Sequence, residues 1–169
     1  RQRIAMREAG VPEYTASERA YARRFKETFD LAGQLSDIPL PVRDKARLAQ
    51  SIRESELCDY YVETDHSDRC EMGSTDVGDV SWVTPTVTAN LNCFSYGAGA
   101  HSWQWVAQGK SSIAMKGLLH AGKVIARTAE KLLENPELLV KARKEFETRL
   151  GGETYKCLIP EDVKPHYFD

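Results

Sequence analysis

The sequence predicts an α/β domain in which helices flank a small sheet. Apolar residues recur at helical spacing in several stretches of the chain, and one stretch, residues 86–93, alternates apolar and polar side chains. The patterned strand lies between helical stretches, which is the order of elements in a layered α/β or α+β fold. Of these two classes we expect the α/β class.

The first half of the chain predicts three helices. Residues 1–9 are compatible with a helix that ends at a glycine followed by a proline. Thr15 and Glu18 fit a capping box, which opens a second helix running to about residue 29. A third helix covers residues 43–55. The second helix places aromatic residues at every fourth position, and these predict a core-facing side: Tyr21, Phe25 and Phe29.

The alternating stretch predicts a half-buried strand. Its apolar positions, Val87, Ala89, Leu91 and Cys93, are separated by hydroxyl and amide side chains. A shorter apolar piece, residues 80–83, is a candidate neighbour. One strand is too little sheet for a self-sufficient domain, so we expect this chain to be a segment of a longer protein. The start at an arginine instead of a methionine agrees with that expectation.

The second half predicts the longest helix, residues 110–134, opened by Ser111 or Ser112. His120 lies within it and is interpreted as a packing residue, with a ligand role as the alternative. A further helix restarts with Pro136 in its first turn and stops at a pair of glycines. Its inward-facing residues are expected to be Leu138, Leu139, Ala142 and Phe146.

Composition argues against several classes of protein. The net charge of -2 gives no electrostatic reason to expect binding to nucleic acid or membrane. The cysteines contain no C-x-x-C pair, so zinc-finger and thioredoxin-like interpretations fail. We interpret them as reduced thiols of a cytoplasmic protein, with a Cys58–Cys70 disulfide as the alternative. The four are Cys58, Cys70, Cys93 and Cys157.

Two polar loops are the candidates for function. The stretch from Gly73 to Pro85 combines glycines with hydroxyl and carboxylate side chains, and the stretch from Gly97 to His101 places a histidine after small residues. Such loops build sites when a rigid scaffold holds them. The residue types alone fit an ordinary connecting loop as well.

Residues 53–79 form an acidic, loop-rich region with nine acidic and two basic residues, counted along the sequence. A run of this kind is usually a solvated surface. Within it, Asp65, His66 and Asp68 superficially resemble a metal-binding motif, but their neighbours are all polar. The solvated loop is the favoured interpretation.

At two places the sequence resembles a known family. The stretches are Gly73-Ser-Thr-Asp-Val-Gly-Asp-Val-Ser-Trp-Val-Thr-Pro85 and Gly99-Ala-His101-Ser-Trp-Gln104, the latter continued by residues 107–117. They resemble the co-catalytic metallopeptidases and amidohydrolases, a family that includes aminoacylases and glutamate carboxypeptidases. Its aminobenzoyl-glutamate hydrolases are the members that the sequence resembles most, over roughly residues 12 to 165.

The resemblance implies a fold and a place within it. In this family a smaller lid domain interrupts a phosphorylase/hydrolase-like catalytic domain, and the chain then returns to complete it. Residues 1–169 would be that returning C-terminal part, a single segment with the lid and the N-terminal part absent.

The resemblance also implies a chemistry. Family members hydrolyse an amide bond of an N-acyl or N-aroyl amino acid, or of a small peptide, with two divalent metal ions: zinc, manganese or cobalt. The metal ligand expected after the lid matches His101, and the family's active-site edge matches the loop with Thr75 and Asp76. Asp76 has a turn-capping role as its alternative. The catalytic residues are expected in the absent N-terminal part, so we expect this chain alone to be inactive, since one histidine cannot hold a catalytic metal.

The implied partners are a small-molecule or peptide substrate and the remainder of the catalytic domain. A homo-oligomer, or a hetero-oligomer with a related subunit, is also expected. The competing hypothesis is a non-catalytic helical interaction domain whose polar loops only connect its elements. It allows His101 to be exposed, or buried without polar neighbours, whereas the enzyme hypothesis places His101 and Asp76 at one shared cleft.

Overall fold

A computed structural model describes residues 2–29, 42–65, 73 and 75–164. The described residues form seven helices, α1 to α7 in chain order, and among these none combines the length and apolarity that a bilayer crossing requires. Their bounds are α1 Gln2–Ala9, α2 Ala16–Lys26, α3 Lys45–Glu54, α4 Val77–Val83, α5 Trp103–Gln108, α6 Ser112–Glu134 and α7 Glu137–Leu150.

The chain divides into two compact units. The first comprises residues 1–71 and 89–131, and the second comprises residues 72–88 and 132–169. The core of the first unit is a cluster of Ala22, Leu57 and Ile113, each fully buried, with Tyr14 and Tyr21 packed against it. This cluster joins α2 and α6 to the chain that follows α3.

The buried carboxylate of Glu18 connects the start of α2 to the start of α6. It closes the capping box of α2, accepting a hydrogen bond from the backbone N–H of Thr15 at 2.7 Å. Its other partners come from α6: Ser112 donates its hydroxyl at 2.6 Å and Lys116 its ammonium at 2.7 Å. Burial alone would raise the pKa of Glu18, but these hydrogen bonds outweigh it and lower the pKa to about 2. The residue is therefore an ionised, fully paired carboxylate inside the first unit.

The acidic segment 56–65 lies along basic side chains of the first unit. Its carboxylates remain partly accessible to water, as expected for a solvated segment, but they also pair with arginines of α1, α2 and the turn before α3. The pairs are Glu56 with Arg23 at 2.7 Å, Asp59 with Arg19 at 2.7 Å, Glu63 with Arg43 at 3.0 Å and with Arg7, and Asp65 with Arg43 at 2.6 Å.

The N-terminal part of α6 packs directly against the backbone of residues 92–93. A Cβ atom added at Gly117 would overlap the carbonyl oxygen of Asn92 and would lie 2.6 Å from Sγ of Cys93. Only glycine allows this close approach. By contrast, a Cβ atom at Gly122, further along the same helix, would have no neighbour within 4 Å.

The second unit contains α4 and α7, and neither helix has a fully buried residue. The hydroxyl of Tyr155 donates a hydrogen bond to Asp79 of α4 at 3.0 Å, and this contact raises the pKa of Tyr155 to about 12. Of the residues expected to face inward from α7, Leu138, Ala142 and Phe146 are half-buried, while Leu139 is exposed. The helix ends at Gly151, whose φ of 60° is left-handed.

The expected α/β class is wrong. No strand occurs in the described part of the chain, where the β contact seen is an isolated antiparallel bridge between Val42 and Thr64. Residues 86–93 adopt no regular secondary structure, and residues 80–83, expected as a neighbouring strand, belong to α4. Residues 92–93 pack against α6 at Gly117, but Val87, an apolar position of the alternating pattern, is 65% exposed, so the pattern does not mark one covered side.

The helices with clear periodicity are confirmed. α1, α2, α3, α6 and α7 all lie where the sequence predicts them, and Thr15 and Glu18 form the expected capping box. The short helices α4 and α5 are not predicted by the sequence analysis: α4 falls in a stretch interpreted as a loop with a short strand piece, and residues 103–108 were assigned to no element.

Replacing Gly117 with alanine should destabilise the protein even though alanine favours helices. The added methyl group meets backbone atoms that cannot move aside cheaply, so we expect a loss of about 1–3 kcal/mol in the free energy of unfolding. The matched change Gly122→Ala meets nothing and should stabilise by up to about 1 kcal/mol. Urea unfolding followed by circular dichroism measures both, and equal effects of the two changes would contradict the close contact.

Glu18 should make the stability of the protein depend on pH in the acid range. Its folded-state pKa of about 2 lies below the ordinary 4.5, so its contribution is complete above about pH 5 and is lost as the pH falls towards 2. The shift corresponds to at most about 3 kcal/mol, and solvent screening at the edge of the site reduces it.

Urea unfolding between pH 2 and 6 measures this dependence. The profile should be flatter for Glu18→Gln, while Glu130→Gln, at an exposed pair with Arg127, should leave the profile unchanged. Parallel profiles for Glu18→Gln and wild type would refute the assignment.

Candidate functional site

His101 lies on an exposed loop that leads into α5, in the first unit. Its φ of 60° is left-handed, and among the described residues it is the non-glycine residue with a positive φ. Such a conformation is uncommon outside glycine, although histidine is one of the residues that tolerate it. It places an accessible imidazole on a loop whose backbone is under constraint.

The loop that carries His101 is held by hydrogen bonds from its own flanks. The indole N–H of Trp105 donates to the carbonyl of Ala98 at 2.7 Å, and the hydroxyl of Ser102 donates to the carbonyl of Gly99 at 2.7 Å. The ring of Trp105 stacks on Phe94 with a centroid distance of 4.7 Å. Trp105 therefore joins both sides of the loop.

A buried polar side chain, Gln108, holds the start of the same loop. Gln108 is fully buried, accepts a hydrogen bond from the backbone N–H of Ser95 at 2.8 Å, and donates to the carbonyl of Gln104 at 3.2 Å. The buried hydroxyl of Ser95 has no hydrogen-bond partner among the described residues. The bonds of Gln108 fix the start of the loop to α5.

Thr75 and Asp76 lie in the second unit, at the start of α4. The backbone N–H of Val77 donates to the hydroxyl of Thr75 at 3.3 Å, so Thr75 caps the turn. The carboxylate of Asp76 makes no capping hydrogen bond and is exposed, so the turn-capping alternative for Asp76 is not what the geometry shows. Both side chains remain accessible from solvent.

The structure thus assigns His101 and the Thr75–Asp76 loop to different units. A cleft shared by these residues stays a prediction. Cys70 and the Asp65-His66-Ser67-Asp68 motif from its second residue onward lie outside the described residues.

The described part of the chain contains no group of three or more histidine, cysteine or carboxylate residues placed to hold a metal ion. His120 is buried in α6, where burial and the charge of Lys123 lower its pKa, opposed by a hydrogen bond to the backbone of Gly10. A neutral ring tied to the end of α1 matches the packing interpretation of His120.

The cysteines of the described residues, Cys58, Cys93 and Cys157, are free thiols. Burial raises the pKa of Cys58, and its thiol lies 3.5 Å from the carbonyl oxygen of Tyr60. Burial likewise raises the pKa of Tyr96, whose hydroxyl lies 2.9 Å from that of Ser51. These raised pKa values describe a neutral polar cluster and make Cys58 a poor nucleophile.

Sequence reasoning missed a pocket of about 320 Å³ in the first unit, beside the buried Glu18. The capping box was visible in the sequence, but nothing in it showed that Glu18 would face α6. At the α6 end of the pocket the hydroxyl of Ser112 donates its hydrogen bond to Glu18. An anionic ligand bound there would lie next to the Glu18 carboxylate, so the pocket does not suit an anion. Its lining residues are Ser17, Glu18, Tyr21, Ala107, Lys110, Ser111, Ser112 and Ile113.

The resemblance expected from the two loop motifs is confirmed by comparison with known proteins. Over 165 residues the chain is 33% identical to a subunit of the p-aminobenzoyl-glutamate hydrolase of Escherichia coli (strain K12). The alignment covers 95% of this chain and 34% of the relative, so the chain spans about a third of the relative's length. No family model matches the sequence, and no solved structure matches it.

Replacing Trp105 with phenylalanine should loosen the His101 loop without unfolding the protein. The change keeps an aromatic ring against Phe94 but removes the hydrogen bond to Ala98, which should cost about 1–2 kcal/mol. We expect faster amide hydrogen exchange in residues 97–102. The matched change Trp103→Phe alters a side chain that is 63% exposed and should leave exchange in the loop unchanged; similar exchange in both variants would contradict the role given to Trp105.

Proposed function

We propose that this chain is part of a metal-dependent amidohydrolase or peptidase. The substrate is an N-acyl or N-aroyl amino acid, such as p-aminobenzoyl-glutamate, or a small peptide, whose amide bond is hydrolysed. The observation that carries the proposal is the 33% identity to a hydrolase subunit over 95% of the chain. Divalent metal ions in such an enzyme activate a water molecule and polarise the amide carbonyl.

His101 is proposed as the metal ligand that this chain supplies. A neutral imidazole is a common ligand of zinc, manganese and cobalt near pH 7. The exposure of His101 leaves its ring accessible, and the hydrogen-bonded loop beneath it limits the positions that the ring can take. A ligand needs both properties, because a metal site requires defined directions from each donor.

The described residues of this chain do not fit a complete metal site, since no three histidine, cysteine or carboxylate residues among them are placed to hold a metal ion. We propose that the other ligands, and the catalytic residues, come from polypeptide outside this sequence. Thr75 and Asp76, accessible at the start of α4, would contact substrate or orient a ligand. On this basis the 169 residues alone are inactive.

The proposed partners follow from the same argument. The relative is named as a subunit, which supports an assembly of more than one chain. We propose that this chain acts with the remainder of its catalytic domain, within a homo-oligomer or with a related subunit.

A second candidate function is a non-catalytic helical interaction domain. It is favoured by one observation, the large apolar side chains that α6 exposes, such as Leu118 and Ile125. This candidate function assigns no role to the constrained loop that carries His101.

A chimera tests the enzymatic proposal. In it, this chain replaces the aligned residues of the Escherichia coli relative, and hydrolysis of p-aminobenzoyl-glutamate is measured with added manganese, zinc or cobalt. We expect activity from the chimera and a loss of kcat/KM of about 100-fold or more for His101→Ala, because ligand removal weakens metal binding and activity together. Bound metal, measured by elemental analysis, should fall in the same variant.

Two controls accompany the chimera. Lys123→Ala, an exposed change on α6, should keep full activity, and the isolated 169-residue chain should show none. Full activity and metal content in His101→Ala would refute the ligand role. Hydrolysis by the isolated chain would refute the proposed incompleteness of the site.

A further inference from the structure

The long helix α6 has two apolar faces, of which the first unit covers one. The covered face contains Ile113, Gly117, His120 and Val124, all buried. The opposite face, here called the outer face of α6, contains residues that are all exposed: Met115, Leu118, Leu119, Gly122, Ile125, Ala126 and Ala129.

The outer face is broad and free of charge. At 3.6 residues per turn its residues span an arc of about 120° around the helix. Most charged residues of α6 lie on one flank between the two faces: Lys116, Lys123, Arg127, Glu130 and Glu134. Lys131 lies beside the covered face and pairs with Glu8 of α1. An apolar arc wider than about 100° is typical of a helix that faces a protein core.

The apolar side chains of this face have large exposed fractions for a surface in contact with water. Leu118, Leu119 and Ile125 are 63%, 68% and 66% exposed, and they lie on the same side of the helix. Scattered apolar residues on a surface need no explanation, but a contiguous group of this kind marks a contact surface.

We propose that the outer face of α6 docks against polypeptide equivalent to the two thirds of the relative that the alignment does not cover. This inference rests on the proposed function, since it takes this chain to be one part of a larger hydrolase. The occupant is chosen on two grounds. The first is length: with 34% of the relative aligned, about twice as much chain lies outside the alignment as inside it, and that chain can offer a large surface.

The width of the arc is the second ground. A second copy of α6 would contact a narrower seam, with apolar residues at only two positions in seven. Leu119 and Ile125, at opposite edges of the arc, cannot both be covered by one partner helix. A layer of several elements can cover both, and the remaining two thirds of a catalytic protein supplies such a layer.

Capture of a defined partner tests the proposal. The part of the Escherichia coli relative outside the aligned residues is tagged, immobilised and mixed with the purified 169-residue chain, and binding is measured over a range of concentrations. We expect capture of the wild-type chain and a weakening on the order of 100-fold for Leu118→Lys combined with Ile125→Lys, because two buried apolar contacts become charged.

The control variant is Glu130→Lys, on the charged flank of the same helix. It changes the net charge by the same amount as the double variant and should bind like wild type. Circular dichroism should show that both variants fold, since all the changed side chains are exposed. No capture of the wild-type chain, or equal capture of the double variant, would overturn the proposal. A wild-type dimer in sizing chromatography that the double variant loses would also overturn it, in favour of a second copy.

His101→Ala separates this inference from the proposed function. It should be captured as well as wild type, because His101 is not on the outer face of α6. Capture that depends on Leu118 and Ile125, together with an inactive wild-type chimera, would retain the docking face and reject the hydrolase function.

Discussion

The buried carboxylate of Glu18 is the interaction on which the first unit depends. It caps the backbone at the start of α2 and also receives hydrogen bonds from Ser112 and Lys116 of α6. A buried ionised group is costly unless each of its oxygens is paired, and here hydrogen bonds reach both. The position of α6 relative to α2 is thereby specified by polar geometry as well as by the apolar cluster of Ala22, Leu57 and Ile113.

The constrained loop follows from that position. Once α6 is placed, Gly117 receives the backbone of residues 92–93, and the chain continues from there into the segment that Gln108 and Trp105 hold. His101 lies on the exposed loop to which this series of contacts leads. Its accessibility is therefore a property of the whole first unit, and the same unit leaves the outer face of α6 uncovered.

How far the sequence predicts this arrangement depends on the range of the interactions. Helices α2 and α6 were predictable because capping and apolar spacing act within a few residues. The strand expected at residues 86–93 was wrong because an alternating pattern allows an extended strand without supplying a second strand to pair with it, and its apolar position Val87 is 65% exposed. His101 was picked out by a motif, while the contacts of Trp105 with Ala98 and Gln108 with Ser95 depend on how α5 folds back, which no local pattern encodes.

The arginine pairs of segment 56–65 make the stability of this protein depend on the ionic strength of the solution. Each exposed pair contributes little to stability, but several act on one segment that also buries Leu57 in the core. Salt screens the attraction within these pairs, with a screening length of about 10 Å at 0.1 M, so higher ionic strength weakens the electrostatic attachment of this segment and leaves the apolar contacts of Leu57 to hold it. Guanidinium chloride is itself a salt and urea is not. The two denaturants therefore measure different quantities here: urea reports stability with the exposed pairs of this segment intact, and guanidinium reports stability with those pairs screened.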